Sequence, residues 1–409
     1  MNSTNRMTQQ RVWVVSEVFY PDETSTAYIL THIAKHIAED ANIKVDVLCG
    51  PSAYGDITGA NLDLSKITVH RINLFSLNKN KLFQRFLRII LLSLSMFFIA
   101  LLKFRKKDKV LLVTNPAFSI PLFSLLKKVK GFSYYILVHD VFPENLIPAG
   151  LMKSSDNFVY KVLTVIFNWS YAKADKLFVL GRDMKEVFAK KISTLKNISI
   201  IENWSQTEEV DCEDFNINEL VIEKNISNKI VLLFAGNLGR LQALEKYFKV
   251  ITQVNNINVH FAFVGDGALL PYLKLAVEKN KLDNVSFWGN FPRNKQTLFL
   301  NACHFGVVTL EEEVYGLGVP SKTYNILAAA KPILFLGNKK SEVAMLIEED
   351  KCGISYSWEQ SEEIINFINS LDYEKMSSYQ MFGTNGRKLA ETKFSKSTIL
   401  NRFKKEILN

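Results

Sequence analysis

Short apolar runs alternate along the whole chain with longer stretches in which apolar positions recur every three or four residues. In the first half the runs are RVWVVSEV (11–18), KVDVLCG (44–50), TVHRINL (68–74), KVLLVTN (109–115), FSYYILVHD (132–140), KLFVLG (176–181) and ISIIENW (198–204). They are short, and many are rich in β-branched and aromatic residues, so each predicts a strand. Between the first two, YILTHIAKHIAED (28–40) puts Ile29, Ile33, Ala34 and Ile37 on one side, which predicts a helix. A polar, irregular segment, 206–228, interrupts the rhythm. It restarts with KIVLLFAGNLG (229–239) and continues through 259–267, 285–291, 304–310, 332–337 and 353–358. Repeated strand–helix alternation in both halves predicts two doubly wound domains with parallel sheets. They would span 1–205 and 229–390, joined by the 206–228 linker. Residues 391–409 read as a last helix free to pack back on the first domain.

Length agrees, since 409 residues exceed one ordinary core. Hydrophobic residues make up 48% and charged residues 22%, a globular balance. Cys49, Cys212, Cys303 and Cys352 are scattered, without CxxC spacing, and fit a reduced, cytosolic compartment. The first twenty residues hold no apolar segment behind a basic start, so no signal peptide is expected.

Charge changes the picture locally. The net charge is +9, and the window 79–109 alone carries +8: Lys79, Lys81, Arg85, Arg88, Lys103, Arg105, Lys106, Lys107 and Lys109 against Asp108. The remainder is near neutral, which argues against a nucleic-acid-binding surface and for a local basic patch. Inside the patch runs IILLSLSMFFIALL (89–102), without a charge. It falls short of the ~20 residues that span a bilayer. Two readings stay open: a core helix on a sheet, or a helix resting among anionic headgroups.

Candidate chemistry clusters after strands, where parallel sheets bind ligands. The loop YPDETSTA leads into the first helix and offers Glu23, Ser25 and Thr26. His139 and Asp140 follow YYILV, with Glu144 just beyond; a strand-end pair of this kind suits acid–base work or hydroxyl binding. In the second half AGNLGRLQALE (235–245) is a glycine turn at a strand end, with Gly236, Gly239 and Arg240. VGDG adds Gly265 and Asp266. GVPSKTYNILAAAKPIL (318–334) sets Pro320, Ser321 and Lys322 ahead of a predicted helix. Proline and serine there are ordinary helix-start residues, but a lysine at a helix start also suits a phosphate. Three such turns in one domain favour a nucleotide-diphosphate site.

AGNLGRLQALE, FVGDG, SFWGNFPRNK and GVPSKTYNILAAAKPIL, in that order, resemble the donor domain of glycosyltransferase family 4, in its bacterial O-antigen, capsule and colanic-acid-type branch. VVSEVFYPDETSTAYILTHIAKHI, VHDVFPENLIPAG and IIENW resemble the same branch, so the likeness covers nearly the whole chain. It implies the GT-B fold, two Rossmann-like domains facing across a cleft. It also implies a retaining glycosyltransferase that moves a sugar, an N-acetylated or deoxy-amino hexose, from a UDP-sugar to a polyprenyl-diphosphate-linked saccharide. No bound metal or other cofactor is expected. Ser321 and Lys322, with Thr323 and Asn325, would meet the donor diphosphate and its sugar. His139 and Asp140 would face the transferred sugar; Arg293 and Asn203 would be peripheral. The enzyme would be cytoplasmic and peripheral on the inner face of the membrane, held through the basic helix 80–108.

The sequence departs from the family pattern in places. Asn237 and Gln242 stand where many relatives carry an Arg and a Lys. Asn325 stands where the second of two glutamates is usual, and Leu317 where the first would fall, with Glu311, Glu312 and Glu313 nearby. Two rivals remain: a UDP-sugar epimerase of the same fold, which would change a sugar without an acceptor, and a non-catalytic glycan- or lipid-binding relative, which would not hydrolyse donor.

Overall fold

The structure, a computed structural model, describes residues 9–52, 62–73 and 82–409, apart from the side chains of Leu82, Phe83 and Arg85. Lys79, Lys81 and the Arg85 side chain of the basic window therefore lie outside the described residues. The first sheet holds β1 (Gln10–Ser16), β2 (Ile43–Cys49), β3 (Ile67–Arg71), β4 (Lys109–Val113), β5 (Ser133–Leu137), β6 (Lys176–Val179) and β7 (Ile198–Ile200). Its order is β3-β2-β1-β4-β5-β6-β7, parallel throughout. The second holds β8 (Ile230–Ala235), β9 (Val259–Val264), β10 (Val285–Gly289), β11 (Phe305–Thr309), β12 (Ile333–Leu336) and β13 (Gly353–Tyr356), in the order β10-β9-β8-β11-β12-β13, again parallel. Val12, Trp13, Val14 and Val15 are all fully buried, because helices cover both faces of the sheet. The two doubly wound sheets read from the sequence are thus present. Most of the sequence runs overreach at their C-terminal ends, where residues such as Glu17, His139 and Asp140 leave the ladder for loops.

Helices Leu82–Lys103, Ser119–Lys130, Phe158–Tyr171 and Arg182–Ile192 lie side by side on one face of the first sheet, as right-handed crossovers moving one way require. Helix Ser25–Ala38 covers the other face, with the C-terminal helix Lys396–Leu408 against it. That last helix is held to the first domain by Arg402 on Glu202 (2.5 Å) and by Phe403 edge-on to Phe178 (5.6 Å). The chain crosses between domains twice, where Ser205 and Ser395 pair and the Ser205 amide donates to the Phe394 carbonyl (2.8 Å).

Two sequence expectations need refining. The polar segment 206–228 is not a free tether. Asn218 donates to the Leu298 carbonyl, Asn301 to that of Asp211, and Leu220 and Val221 are buried, so its second half belongs to the second domain. A few core positions, Val210, Leu220, Val221 and Ile226, scattered among many polar ones hid that docking. The apolar helix Leu82–Lys103 is neither wholly core nor free. Leu92, Met96 and Ala100 are fully buried against the sheet, while Leu91, Phe98 and Leu102 face outward. Phe86–Lys103 is long and apolar enough to cross a membrane by composition, yet one side is packed on the sheet. Asp108 is buried, accepting from Trp13 Nε1 (3.0 Å) and the Arg105 amide (2.9 Å). The exposed charge of that turn is therefore positive only.

Candidate active site

The strand ends of the two sheets face one another across a cavity of about 730 Å³. The second domain supplies most of its wall. After β8 the chain turns at Gly236, whose backbone leaves a Cβ only 3.3 Å from Lys322 Cε. The next turn, at Gly265, packs on the first: a Cβ there would sit 2.0 Å from the Gly236 carbonyl oxygen. Gly236 and Gly265 have φ of +140° and +127°, so both positions require glycine. Two backbones are in this way laid against each other, with Lys322 beneath.

Lys322 is the centre of the site. Its ammonium donates to Gln242 Oε1 (2.9 Å) and lies 3.5 Å from the centroid of the Phe234 ring. Both partners are neutral. Burial pushes its pKa well below the ordinary 10.5. A cation held against an amide oxygen and an aromatic face, at the wall of a cavity, invites an anion.

The anion grip differs from a helix-end site. The helix is short, Lys322–Ala328, and Ser321 has helical backbone angles with no side-chain capping bond. The amides of Thr323 and Tyr324 already bond to the carbonyls of Pro320 and Ser321 (3.2 Å each). Two of the first-turn amides are thus engaged, and the Lys322 side chain is the full charge this site offers an anion. Ser321 Oγ instead stands 3.5 Å from Ser25 Oγ across the cleft. Thr323 is buried, outside the cavity wall.

Asn325 also lines the cavity and donates to Gln296 Oε1 (2.8 Å); Gln296 Nε2 donates in turn to Gln206 Oε1 (3.2 Å). This chain of amides runs from the interdomain crossover into the site. Asn325 is thereby fixed by hydrogen bonds, not by charge. Leu317 is buried, Glu311 pairs with Lys246 (2.5 Å), and none of the three neighbouring glutamates lines the cavity. Arg293, expected at the periphery, is in the wall. Its guanidinium lies 3.6 Å over the Tyr28 ring, and its Nε is buried without a hydrogen-bond partner among the described residues. No sequence signal separates this arginine from other loop cations. Asn203, expected at the periphery too, lines a smaller neighbouring cavity beside Tyr28 and Arg293.

The first domain contributes Glu23, Thr24 and Ser25 at the start of its first helix. Thr26 lies behind them, 3.2 Å from His139 Nδ1. Neither His139 nor Asp140 lines the cavity. The backbone amides of both donate to Thr114 Oγ1, and the His139 carbonyl would be 3.2 Å from a Cβ on Gly318 of the other domain. His139 Nε2 is enclosed and has no partner among the described residues, and burial lowers the ring's pKa to about 4, so the imidazole is neutral near pH 7. Asp140 is exposed in the cleft, takes a hydrogen bond from Asn145 Nδ2 (3.0 Å), and has a pKa raised by the protein mass around it.

Other expected site residues stand apart. Arg240 reaches over the 146–151 turn, where a Cβ on Gly150 would be 2.7 Å from its guanidinium. Gly239 is covered by the Asn237 side chain, 2.8 Å from where its Cβ would be. Glu144 pairs with Lys191 (2.6 Å), away from the cavity. Asn237, Gln242 and Asp266 do line it.

Two parallel sheets presenting their strand ends to a shared cleft define the GT-B architecture. The solved structure of Anabaena HepE in complex with UDP has it: TM-score 0.71 over 98% of this chain and 99% of that one, at 14% identity. The profile of the glycosyl transferases group 1 matches residues 217–389. The Pseudomonas aeruginosa protein named probable glycosyltransferase WbjE is 35% identical over 353 residues, 84% of each chain. Escherichia coli (strain K12) WcaI, whose name assigns it to colanic acid biosynthesis, is 23% identical over 69% of this chain and 70% of its own. The chain belongs to the group 1 glycosyl transferases, and the family resemblance read from its motifs holds.

Proposed function

We propose that the protein transfers a sugar, an N-acetylated or deoxy-amino hexose, from a UDP-sugar to a polyprenyl-diphosphate-linked saccharide, with retention at the anomeric carbon, in synthesis of a bacterial surface polysaccharide. The observation that carries this reading is Lys322, a desolvated cation whose partners among the described residues are neutral, at the wall of a 730 Å³ interdomain cavity. Its charge matches the diphosphate that leaves as the glycosidic bond breaks, and an ammonium placed there steadies charge that grows in the transition state. The UDP in the HepE complex and the colanic acid in WcaI's name support the donor and product classes. Retention implies attack on the face the nucleotide leaves. The acceptor hydroxyl forms the new bond to the anomeric carbon and passes its proton to the departing phosphate. Asp140, exposed just after β5 and outside the cavity lining, would orient that acceptor.

Asp140→Asn separates binding from transfer. It should keep the melting-temperature rise caused by the preferred UDP-sugar while slowing transfer to a lipid-linked saccharide about 10²-fold or more. Loss of the donor response in this variant would count against the assignment. Conversion of a UDP-sugar with no acceptor present would instead reveal an epimerase.

The acceptor places the enzyme on the cytoplasmic leaflet. Among the cations expected to meet lipid, Arg88 turns to Glu17 (3.4 Å) and Lys103 to His70 Nδ1 (3.1 Å), leaving Arg105, Lys106 and Lys107 exposed. Converting these three to glutamate should weaken binding to anionic vesicles at low salt, each lost cation removing about 1 kcal/mol. Unchanged vesicle binding would remove the basic turn from the account.

A further inference from the structure

The largest concentration of exposed apolar side chains lies on one face of the first domain. Helix Phe158–Tyr171 shows Phe158 (79% exposed), Val159, Val162, Val165 (70%) and Ile166 to the outside. Their spacing of i, i+1, i+4, i+7 and i+8 makes a stripe along the helix. Two helices away on the same face, Leu82–Lys103 carries a second stripe: Leu91, Leu94, Phe98 and Leu102 (84%). Ser119–Lys130, between them, adds Leu125 and Val129 (76%). A soluble surface scatters such residues singly; a contiguous set on three adjacent helices marks an interface.

Charge on this face indicates what covers it. Each helix follows a strand, so each begins at the cleft edge and ends at the far edge of the sheet. The far ends carry Arg105, Lys106, Lys107, Lys128 and Lys130. The Lys128 ammonium lies 5.0 Å from the Trp169 ring centroid. Of the acids in this region, Asp175 pairs with Lys127 (2.6 Å) and Asp156 lies 3.7 Å from Lys161. Apolar side chains bordered by unpaired cations and an amphipathic aromatic match a bilayer with anionic headgroups.

We propose that this three-helix face is a bilayer-docking surface, with helix Phe158–Tyr171 as a second apolar rail. Attachment is by insertion of apolar side chains between headgroups, and charge only adds to it. The proposal extends the membrane reading above, which rested on the basic turn, and does not depend on which sugar is moved. With both rails lying flat on the membrane, the cleft opens beside the headgroups, within reach of an acceptor anchored there.

The test is sedimentation of the full chain with phosphatidylcholine vesicles, with and without phosphatidylglycerol, at low salt and at about 1 M salt, where charge is screened beyond about 3 Å. Wild type should retain substantial binding at high salt. Val162→Glu/Val165→Glu should lower that binding by at least tenfold, as should Leu102→Glu on the other rail. The Arg105, Lys106 and Lys107 variant should lose only the salt-sensitive part. All variants should keep the wild-type melting temperature and its rise with UDP, so failure here leaves the donor site untouched. The proposal is overturned if wild-type binding disappears at high salt, or if the rail variants bind like wild type. It is equally overturned if those substitutions turn a dimer into a monomer without affecting vesicle binding, which would make the face a subunit interface.

Discussion

Lys322→Ala should abolish most of the thermal stabilisation by the preferred nucleotide-sugar and lower kcat/KM by about 10²–10³-fold, the scale for removing one preorganised charge contact from a transition state. Lys322 is the cavity-wall cation whose ammonium, among the described residues, has the Gln242 amide oxygen and the Phe234 ring as partners, so neither partner carries a charge that could stand in for it. The same geometry makes the lysine costly to the free protein. Its folded-state pKa lies well below its unfolded value, which means the fold disfavours the charged form. At pH below the folded-state pKa the ammonium is charged in both states and the fold bears the full desolvation cost. As pH rises through the folded-state pKa toward the unfolded value, that cost fades. Lys322→Met, with similar length and no charge, should therefore raise the melting temperature of the free protein near neutral pH while losing the donor response. Donor affinity has the opposite dependence. The diphosphate favours the ammonium, so affinity should fall as pH rises through the free enzyme's Lys322 pKa. A Lys322→Met protein that melts lower and still responds to donor would show that the cation serves the fold, not the ligand.

The sheets were legible in the sequence because central strands buried on both faces read as apolar runs, and all thirteen sequence runs overlap a strand. The glycine turns and the Pro-Ser-Lys segment were legible as site elements because they stand at strand ends. Less visible was anything that depends on which side chains meet across domains. Arg293 looks like any loop cation until Tyr28, from a helix some 260 positions earlier, is seen beneath it. Asn325 reads as a lost carboxylate until Gln296 and Gln206 are found holding it. Ser321 carries every local mark of a helix cap, yet its hydroxyl is turned to Ser25 of the opposite domain. In the 158–171 helix, apolar residues on the outside and the inside follow the same spacing, and only the sheet tells them apart. Local chemistry thus marked where the cleft would be. The pairing of its two walls came from tertiary packing.

Gly265→Ala should be the most damaging single-methyl change in the site. The new Cβ would meet the Gly236 carbonyl oxygen at 2.0 Å, and both atoms belong to backbone that has little freedom to yield. The Gly265 amide donates to the Gly289 carbonyl (2.8 Å) and the Gly236 amide to the Val264 carbonyl (2.9 Å), so easing the clash breaks a sheet bond. A positive φ in a residue with a Cβ costs about 1–2 kcal/mol, and overpacking adds about 1–3. Together they take roughly 2–5 kcal/mol from a domain whose whole stability is about 5–15. For a domain of this size that is a fall of roughly 10 °C. Gly289→Ala is the matched control. Its φ is +79°, but a Cβ there has nothing within 4 Å, so it carries only the conformational part of the cost. The control should melt only a few degrees lower and respond to donor as wild type does. Gly265→Ala should lose the donor response as well, because relief of the clash moves Gly236, whose backbone lies so close to Lys322 that a Cβ would be 3.3 Å from its Cε. If the two variants melt alike and both keep the donor response, the glycine turns have slack, and the close approach of the two backbones is not what positions Lys322.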